Sequence, residues 1–167
     1  MDKISIHYIT HDDIEGFRRT LGKVAAEKRY ILTTEIPPLE KLQPFVENNI
    51  KQNHAQYLAK HQGTVIGWAD ISPHDHPTMA HVGVLGMGIV EGYRGQGLGK
   101  RLLETTINHA WQQGLERVEL QVFADNPAAI RLYEKMGFQR EGLKPKARKV
   151  DGVYQDIVDM GMLRQSV

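Results

Sequence analysis

Cysteine is absent from the 167 residues. That excludes disulfides, thiolate metal sites and covalent catalysis through a cysteine. Net charge is nearly absent as well: 21 Lys and Arg stand against 20 Asp and Glu, leaving +1. Such a balance gives no global pull toward nucleic acid or a membrane surface. No apolar run approaches the roughly 20 residues of a membrane span, and the opening Met-Asp-Lys-Ile-Ser lacks the apolar stretch of a signal peptide. A cytoplasmic location is the expectation. Repeats, low-complexity segments and a Pro- or Ser-rich linker are also missing, so a single domain over residues 1–167 is expected. What remains is an ordinary globular composition, 41% hydrophobic and 25% charged, in a chain long enough to bury roughly two-thirds of its unfolded surface.

Hydrophobic spacing predicts the elements. Residues 3–9 alternate Ile4, Ile6 and Tyr8 with polar neighbours, a strand pattern. Thr10 or Asp12 can cap a helix whose apolar stripe is Ile14, Phe17, Leu21, Val24 and Ala25. Residues 30–38 are short and broken, and Pro38 can open a second helix to about Asn53 with Leu42, Phe45, Val46 and Ile50 on one face. Residues 55–61 and 64–71 read as a hairpin around Gln62-Gly63, followed by a 72–77 loop and a strand over 79–90 weakened by glycines at 83, 86 and 88, which mark a bulge or a close-approaching ligand. A helix ending at Gly114, a strand over 117–123, a helix from Pro127 to Gly137 and a terminal hairpin around Asp151-Gly152 complete the chain. This order predicts a mixed α/β fold with a sheet covered on both faces. Strand–helix–strand crossovers at both later helices predict parallel pairing there.

The densest signal is the stretch from Gly88 to Lys100, with glycines at 92, 95, 97 and 99. Glycines let backbone N–H groups turn toward one point without interference from Cβ. The first turn of the following helix adds unpaired donors and the positive dipole end. Together they form a socket for a phosphate-like anion, flanked by Arg94, Lys100 and Arg101. A nucleotide P-loop and a dinucleotide fingerprint both fail here, because Lys100 stands where each requires glycine.

Arg94-x-x-Gly97-x-Gly99 resembles the pyrophosphate-binding signature of the GNAT acetyltransferases, which hold coenzyme A. A second segment, Asn126, then Ala129-Ile130, Leu132-Tyr133 and Gly137-Phe138, resembles the other diagnostic segment of the same superfamily. The tail, with Asp151-Gly152-Val153-Tyr154, resembles the branch acting on amino acids, phosphinothricin-type compounds and peptide amines. The resemblance covers roughly Gln56 to the C-terminus. It implies the GNAT fold, a central and mostly antiparallel sheet of about seven strands with helices on both faces. It also implies acetyl transfer from acetyl-CoA to a primary amine by direct attack, without an acyl-enzyme and without a metal.

The resemblance assigns roles that residue chemistry can be checked against. The turn Arg94, Gly95, Gln96, Gly97, Leu98, Gly99 and Lys100 would hold the pyrophosphate. The strand backbone at Gly88, Ile89 and Val90 would pair with the pantetheine amides and polarise the thioester oxygen. Asn126 would bond the pantetheine region, and Tyr133 would protonate the departing thiolate. A phenol of pKa about 10 stays protonated at neutral pH and can donate to a thiolate of pKa about 8.5. Gln121 stands where several family members carry a glutamate base, so Glu119 is the first candidate, with Glu91 and Asp70 behind it. Position suggests Tyr30, Glu35, Trp68, His81 and Tyr154 for the acceptor pocket, with Glu35, Trp68 and Tyr154 foremost.

Other features read more plainly. His74, His76 and His81 lie in or near a Pro-flanked loop, which suits exposure better than a zinc site. Lys144, Lys146, Arg148 and Lys149 lack interleaved aromatics for stacking bases, and lysines protecting an edge strand account for them. No nucleic-acid or membrane partner is expected. Many relatives pair as homodimers, though no interface is readable. The open alternatives are the acceptor class (a small-molecule amine such as an amino acid, a protein N-terminus, a polyamine or an antibiotic amine) and a non-catalytic acyl-CoA sensor.

Overall fold

A computed structural model describes residues 3–166. Its strands are β1 (Ser5–Tyr8), β2 (Ala55–His61), β3 (Thr64–Pro73), β4 (Val82–Ile89), β5 (Arg117–Phe123), β6 (Gln139–Val150) and β7 (Val153–Leu163). The helices are α1 (Ile14–Ala26), α2 (Leu39–Lys51), α3 (Leu98–Gln112) and α4 (Pro127–Met136). One seven-stranded sheet runs in the order β1-β2-β3-β4-β5-β7-β6. Every pair is antiparallel except β4 with β5. Among the described residues no helix is long and apolar enough to cross a membrane.

The helical stripes bury where the periodicity puts them. Ile14, Phe17 and Val24 of α1 pack with Leu42 and Val46 of α2 against Leu58 and Trp68 on one sheet face. Leu103, Ile107 and Ala110 of α3 join Ile130 and Tyr133 of α4 against Val118, Leu120 and Val122 on the other. Phe45 departs from its predicted stripe and is exposed, while Asn49 is buried there instead and donates to Gln56 Oε1 at 2.8 Å. A buried polar pair of this kind is tolerated because each amide meets a partner.

Three further expectations are corrected. The long strand begins at Val82, because Pro77–Met79 forms a 3₁₀ turn. The second crossover does not pair its strands directly: β7 inserts between β5 and β6 and is antiparallel to both. The glycines of β4 do not mark bulges. A Cβ at Gly88 would lie 2.3 Å from the Trp68 ring, and one at Gly83 would lie 2.4 Å from Ile71, so these positions make room for side chains. Pro145 interrupts its strand, in a register shift between Lys144 and Arg148 with Lys146 at φ +49°.

Candidate active site

The sheet is open at its centre. β4 and β5 pair only at Val82–Arg117, Gly83–Val118 and Val84–Glu119, and beyond Val84 they separate. Bonded and non-bonded pairs alternate along an antiparallel ladder. Val90 N donates to Ile66 O at 3.0 Å, so Gly88 and Gly86 also turn their backbones to β3. Leu85, Met87 and Ile89 therefore turn theirs toward the gap. On β5, Ala124 N donates to Asp156 O at 3.0 Å, which by the same alternation sends Gln121 and Phe123 to the gap. Ile89 O accepts from Arg94 Nε at 2.7 Å and Phe123 O from Asn126 N at 3.0 Å. The N–H groups of Met87 and Ile89 have no strand opposite them, and backbone donors of this kind call for a partner.

A cavity of about 1080 Å³ occupies this gap. At one end stands the glycine-rich turn. Gly92, Gly95 and Gly97 have φ of +89°, +72° and +80°, left-handed conformations that open the backbone toward the cavity at little steric cost. Gly97 is the N-cap of α3, so the first-turn amides of that helix point outward from it. Gly95, Gly97, Gly99 and Lys100 line the cavity. Gln96 and Leu98 do not: Gln96 Nε2 donates to Gly92 O at 2.9 Å, holding the turn, and the Leu98 side chain is core. Val90 is also absent from the lining, and its N–H is committed to Ile66; Met87, which sequence reasoning passed over, supplies the available donor. Arg94 reaches the cavity with its guanidinium already bound to Glu27 at 2.9 and 2.6 Å and stacked 4.3 Å from the Tyr30 ring centroid. Its pKa is raised by the Glu27 carboxylate. Lys100, exposed and 3.6 Å from Glu104, is the cation of the turn better placed to meet an anion.

At the other side of the cavity stands Tyr133. Asn126 caps α4 by accepting from Ala129 N at 3.2 Å, and Gly137 closes the helix at φ +107°. Seven residues separate Asn126 from Tyr133, so both meet the cavity from one helix. The Tyr133 ring packs edge-on to Phe138 at 5.8 Å. Its hydroxyl has no hydrogen-bond partner among the described residues, and burial pushes its pKa well above the ordinary phenol value. The phenol is therefore held protonated with its donor unused.

The acceptor candidates divide. Tyr30 and Glu119 line the cavity. Trp68 does not: it is 3% exposed, part of the core against Phe17 and Gly88. Glu35 is exposed away from the cavity, His81 lies exposed at the head of β4, and Tyr154 is half-exposed between Lys146 and Lys149. His74, His76 and His81 do not converge among the described residues; His74 bonds Glu119 at 3.0 Å and His76 takes the Thr78 N–H. Glu119 also accepts from Arg117 at 3.1 Å, and these bonds to His74 and Arg117 lower its pKa. A carboxylate so held is a poor proton acceptor, which argues against Glu119 as the base. Gln121 donates to Asp159 at 2.9 Å, and Lys144 approaches the same carboxylate at 3.0 Å. The far rim thus sets Glu119, Glu141 and Asp159 against Arg117 and Lys144.

Comparison with known proteins bears on this arrangement. Residues 24–138 match the acetyltransferase (GNAT) family. The chain belongs to the GNAT acetyltransferases. It is thereby an acyltransferase, and acetyl-CoA is the acyl donor of the family. It is 37% identical over 100 residues to N-alpha-acetyltransferase RimI of Mycobacterium tuberculosis, covering 59% of this chain and 61% of that one. It is 31% identical over 111 residues to the L-amino acid N-acetyltransferase AaaT of Escherichia coli, covering 65% and 68%. Against mycothiol acetyltransferase of Paenarthrobacter aurescens the match spans a quarter of the relative, 25% of its length. A GNAT acetyltransferase from Streptococcus pneumoniae has the same fold at TM-score 0.89 and 27% identity, covering 97% of this chain and 100% of that one. A phosphinothricin acetyltransferase from Sinorhizobium meliloti, solved with acetyl-CoA, superposes at TM-score 0.89 and 17% identity over 96% and 88%.

Proposed function

We propose that this protein transfers the acetyl group of acetyl-CoA to the primary amine of a small molecule of the amino-acid class. The observation that carries the reading is the gap between β4 and β5, with a phosphate-ready turn at one end and an unpartnered phenol at its wall. Gly95, Gly97, Gly99 and Lys100 would hold the pyrophosphate, with Arg94 bracing the turn through Glu27 and Ile89. The Met87 and Ile89 amides would bond the pantetheine arm as an added strand does, and one of them would polarise the thioester oxygen. The amine nitrogen attacks the thioester carbon, the adduct collapses by breaking the C–S bond, and Tyr133 delivers a proton to sulfur.

The mixed rim supports an acceptor carrying both charges. Its carboxylates suit an ammonium, while Arg117 and Lys144 suit a carboxylate. The similarity to RimI supports a peptide α-amine as the second reading. An α-amine of pKa about 8 is roughly a tenth neutral at pH 7, whereas a lysine amine near 10.4 is below about a thousandth, so either α-amine needs less help from a base. Release of free CoA from acetyl-CoA should appear with amino acids or analogues in a panel of amines. Turnover confined to peptide N-termini would move the assignment to the second reading. CoA binding with no amine acetylated would leave a sensor. Tyr133→Phe should lower kcat by roughly 100-fold while leaving acetyl-CoA affinity nearly unchanged, because its proton is needed only at the leaving group; unchanged turnover would remove Tyr133 from the mechanism.

A further inference from the structure

We infer that Asp70, with Gln56 and Ser72 beside it, forms the subsite that receives the acceptor's ammonium group, and that Asp70 takes the proton this group must lose. The inference rests on the acetyl-transfer reading above and names the base that Glu119 does not supply.

Register places the three residues together. Asp70 pairs with Gln56 on β2 and with Gly86 on β4, and Ser72 pairs with Val84. Leu58 and Trp68 lie in the core beneath α1 and α2, so by the two-residue period of a strand Gln56 and Asp70 share that face. The Asp70 carboxyl lies over Gly86: a Cβ there would be 3.5 and 3.7 Å from its two oxygens. Gly86 lines the cavity, one residue pair beyond Leu85–Ile71 and just past the last β4–β5 pair, at the apex of the gap. Asp70, Gln56 and Ser72 do not themselves line the cavity, but Gly86 and Val84, their neighbours on β4, do, so the three border the apex on the α1/α2 face while the phenol of Tyr133 stands on the α3/α4 side.

These groups are unsatisfied in a way that points to a ligand. Gln56 is 0% exposed, and its Oε1 is fixed by Asn49 Nδ2 at 2.8 Å, yet its Nε2 has no partner. Ser72 Oγ is likewise buried and unbonded. Asp70 makes no hydrogen bond or ion pair within the described residues. Buried polar groups in folded proteins are nearly always bonded, so two such atoms beside an unbonded, half-buried carboxyl require an account. An ammonium offers donors to Asp70 and to Ser72 Oγ; Gln56 Nε2 is a donor and fits a carbonyl or carboxylate oxygen beside that nitrogen. The acceptor class this describes is an α-amino acid or a compound that mimics one.

The surroundings leave Asp70 poised to take a proton. Its neighbours on this face are the indole of Trp68, the amide of Gln56, Ser72, Val84 and the glycine at 86. The charged and titratable groups on the strands of this face are the Glu119 cluster with His74 and Arg117 toward β5, Glu141, Lys144 and Asp159 beyond it on β6 and β7, Lys60, paired with Asp13 of the turn before α1, at the far end of β2, and His54, bonded to Asn49, just before β2. None of them shifts Asp70: burial alone raises its carboxyl to about 7. The nitrogen loses two protons in becoming an amide. The first passes to the Asp70 carboxylate before attack, and the second leaves the tetrahedral adduct for solvent. One proton reaches sulfur from Tyr133, which solvent recharges, so one proton is released overall.

The test is steady-state kinetics with the best amine of the panel across pH 5–9. Wild-type log kcat/KM for the amine should fall with unit slope below about pH 7. Asp70→Asn should lose that limb and roughly 100-fold in kcat/KM for the amine, with acetyl-CoA affinity unchanged. A wild type that turns over alongside an Asp70→Asn variant that keeps the limb and stays within about threefold would overturn this assignment alone; a wild type that acetylates no amine would overturn the acetyl-transfer reading with it. If the variant does not fold, carbon-13 titration of the Asp70 carboxyl in the wild-type chain decides. Its midpoint should fall when the amine is added, and an unmoved midpoint overturns the proposal.

Discussion

Asp70 and Tyr133 both have nothing to bond among the described residues, and each consequence can be read in stability as well as turnover. A carboxyl raised to about 7 in the fold and ordinary in the unfolded chain binds more protons when folded across the interval between. Its stabilising contribution is therefore present at low pH and is lost as pH rises from about 4 through 7. Asp70→Asn has no proton to lose, so at pH 8 it should melt higher than wild type by on the order of 2 kcal/mol, or about 4–8 °C, with the gap closing toward pH 4. A pH-independent difference, measured by thermal melts in matched buffers, would show that the Asp70 carboxyl is not desolvated. Residue identity alone revealed the Tyr133 and Asn126 pair, because a local helical motif carries them. It missed what depends on long-range partners. Glu119 looked free in sequence, but His74, 45 residues earlier, holds it. Trp68 looked like a pocket aromatic, but the glycine opposite it at 88 shows that its ring fills the core.

At the level of the element, the glycine turn and α3 do one thing together. Gly97 carries φ +80° and opens the helix, and no protein atom lies within 4 Å of where its Cβ would be. A valine there faces no clash with protein but must adopt a left-handed backbone, at a cost of about 1–3 kcal/mol, and would place two methyls toward the approaching phosphate. Gly97→Val should weaken CoA binding by at least about 10-fold in titration calorimetry; retained affinity would show that the turn is not the socket. The helices and strands were legible because their apolar periods agree with their caps and turns. The start of β4 was not, since Pro77 favours a 3₁₀ turn that apolar content does not reveal. The gap between β4 and β5 was equally hidden, because where two strands stop pairing is a property of both strands and of neither sequence alone.

Across the whole molecule, a mostly antiparallel sheet has one parallel junction, and the chain opens at that junction. On the acetyl-transfer reading, a ligand in the opening would replace β-sheet partners for Met87 and Ile89 and lie between the phenol on one face and Gly86, beside the Asp70 carboxyl, on the other. Fold class and family were readable from two short motifs in order. The acceptor side was not, because it is assembled from β4, β5, β6, β7 and the segment between α1 and α2. The account stands or falls on occupation of that opening. Backbone amide spectra of the isotope-labelled protein, recorded during titration with acetyl-CoA, test it most directly. The predicted result is that the amides of Met87, Ile89 and residues 95–100 shift together at one saturation point. Shifts clustered elsewhere on the fold, with Met87 and Ile89 unmoved at saturation, would contradict it.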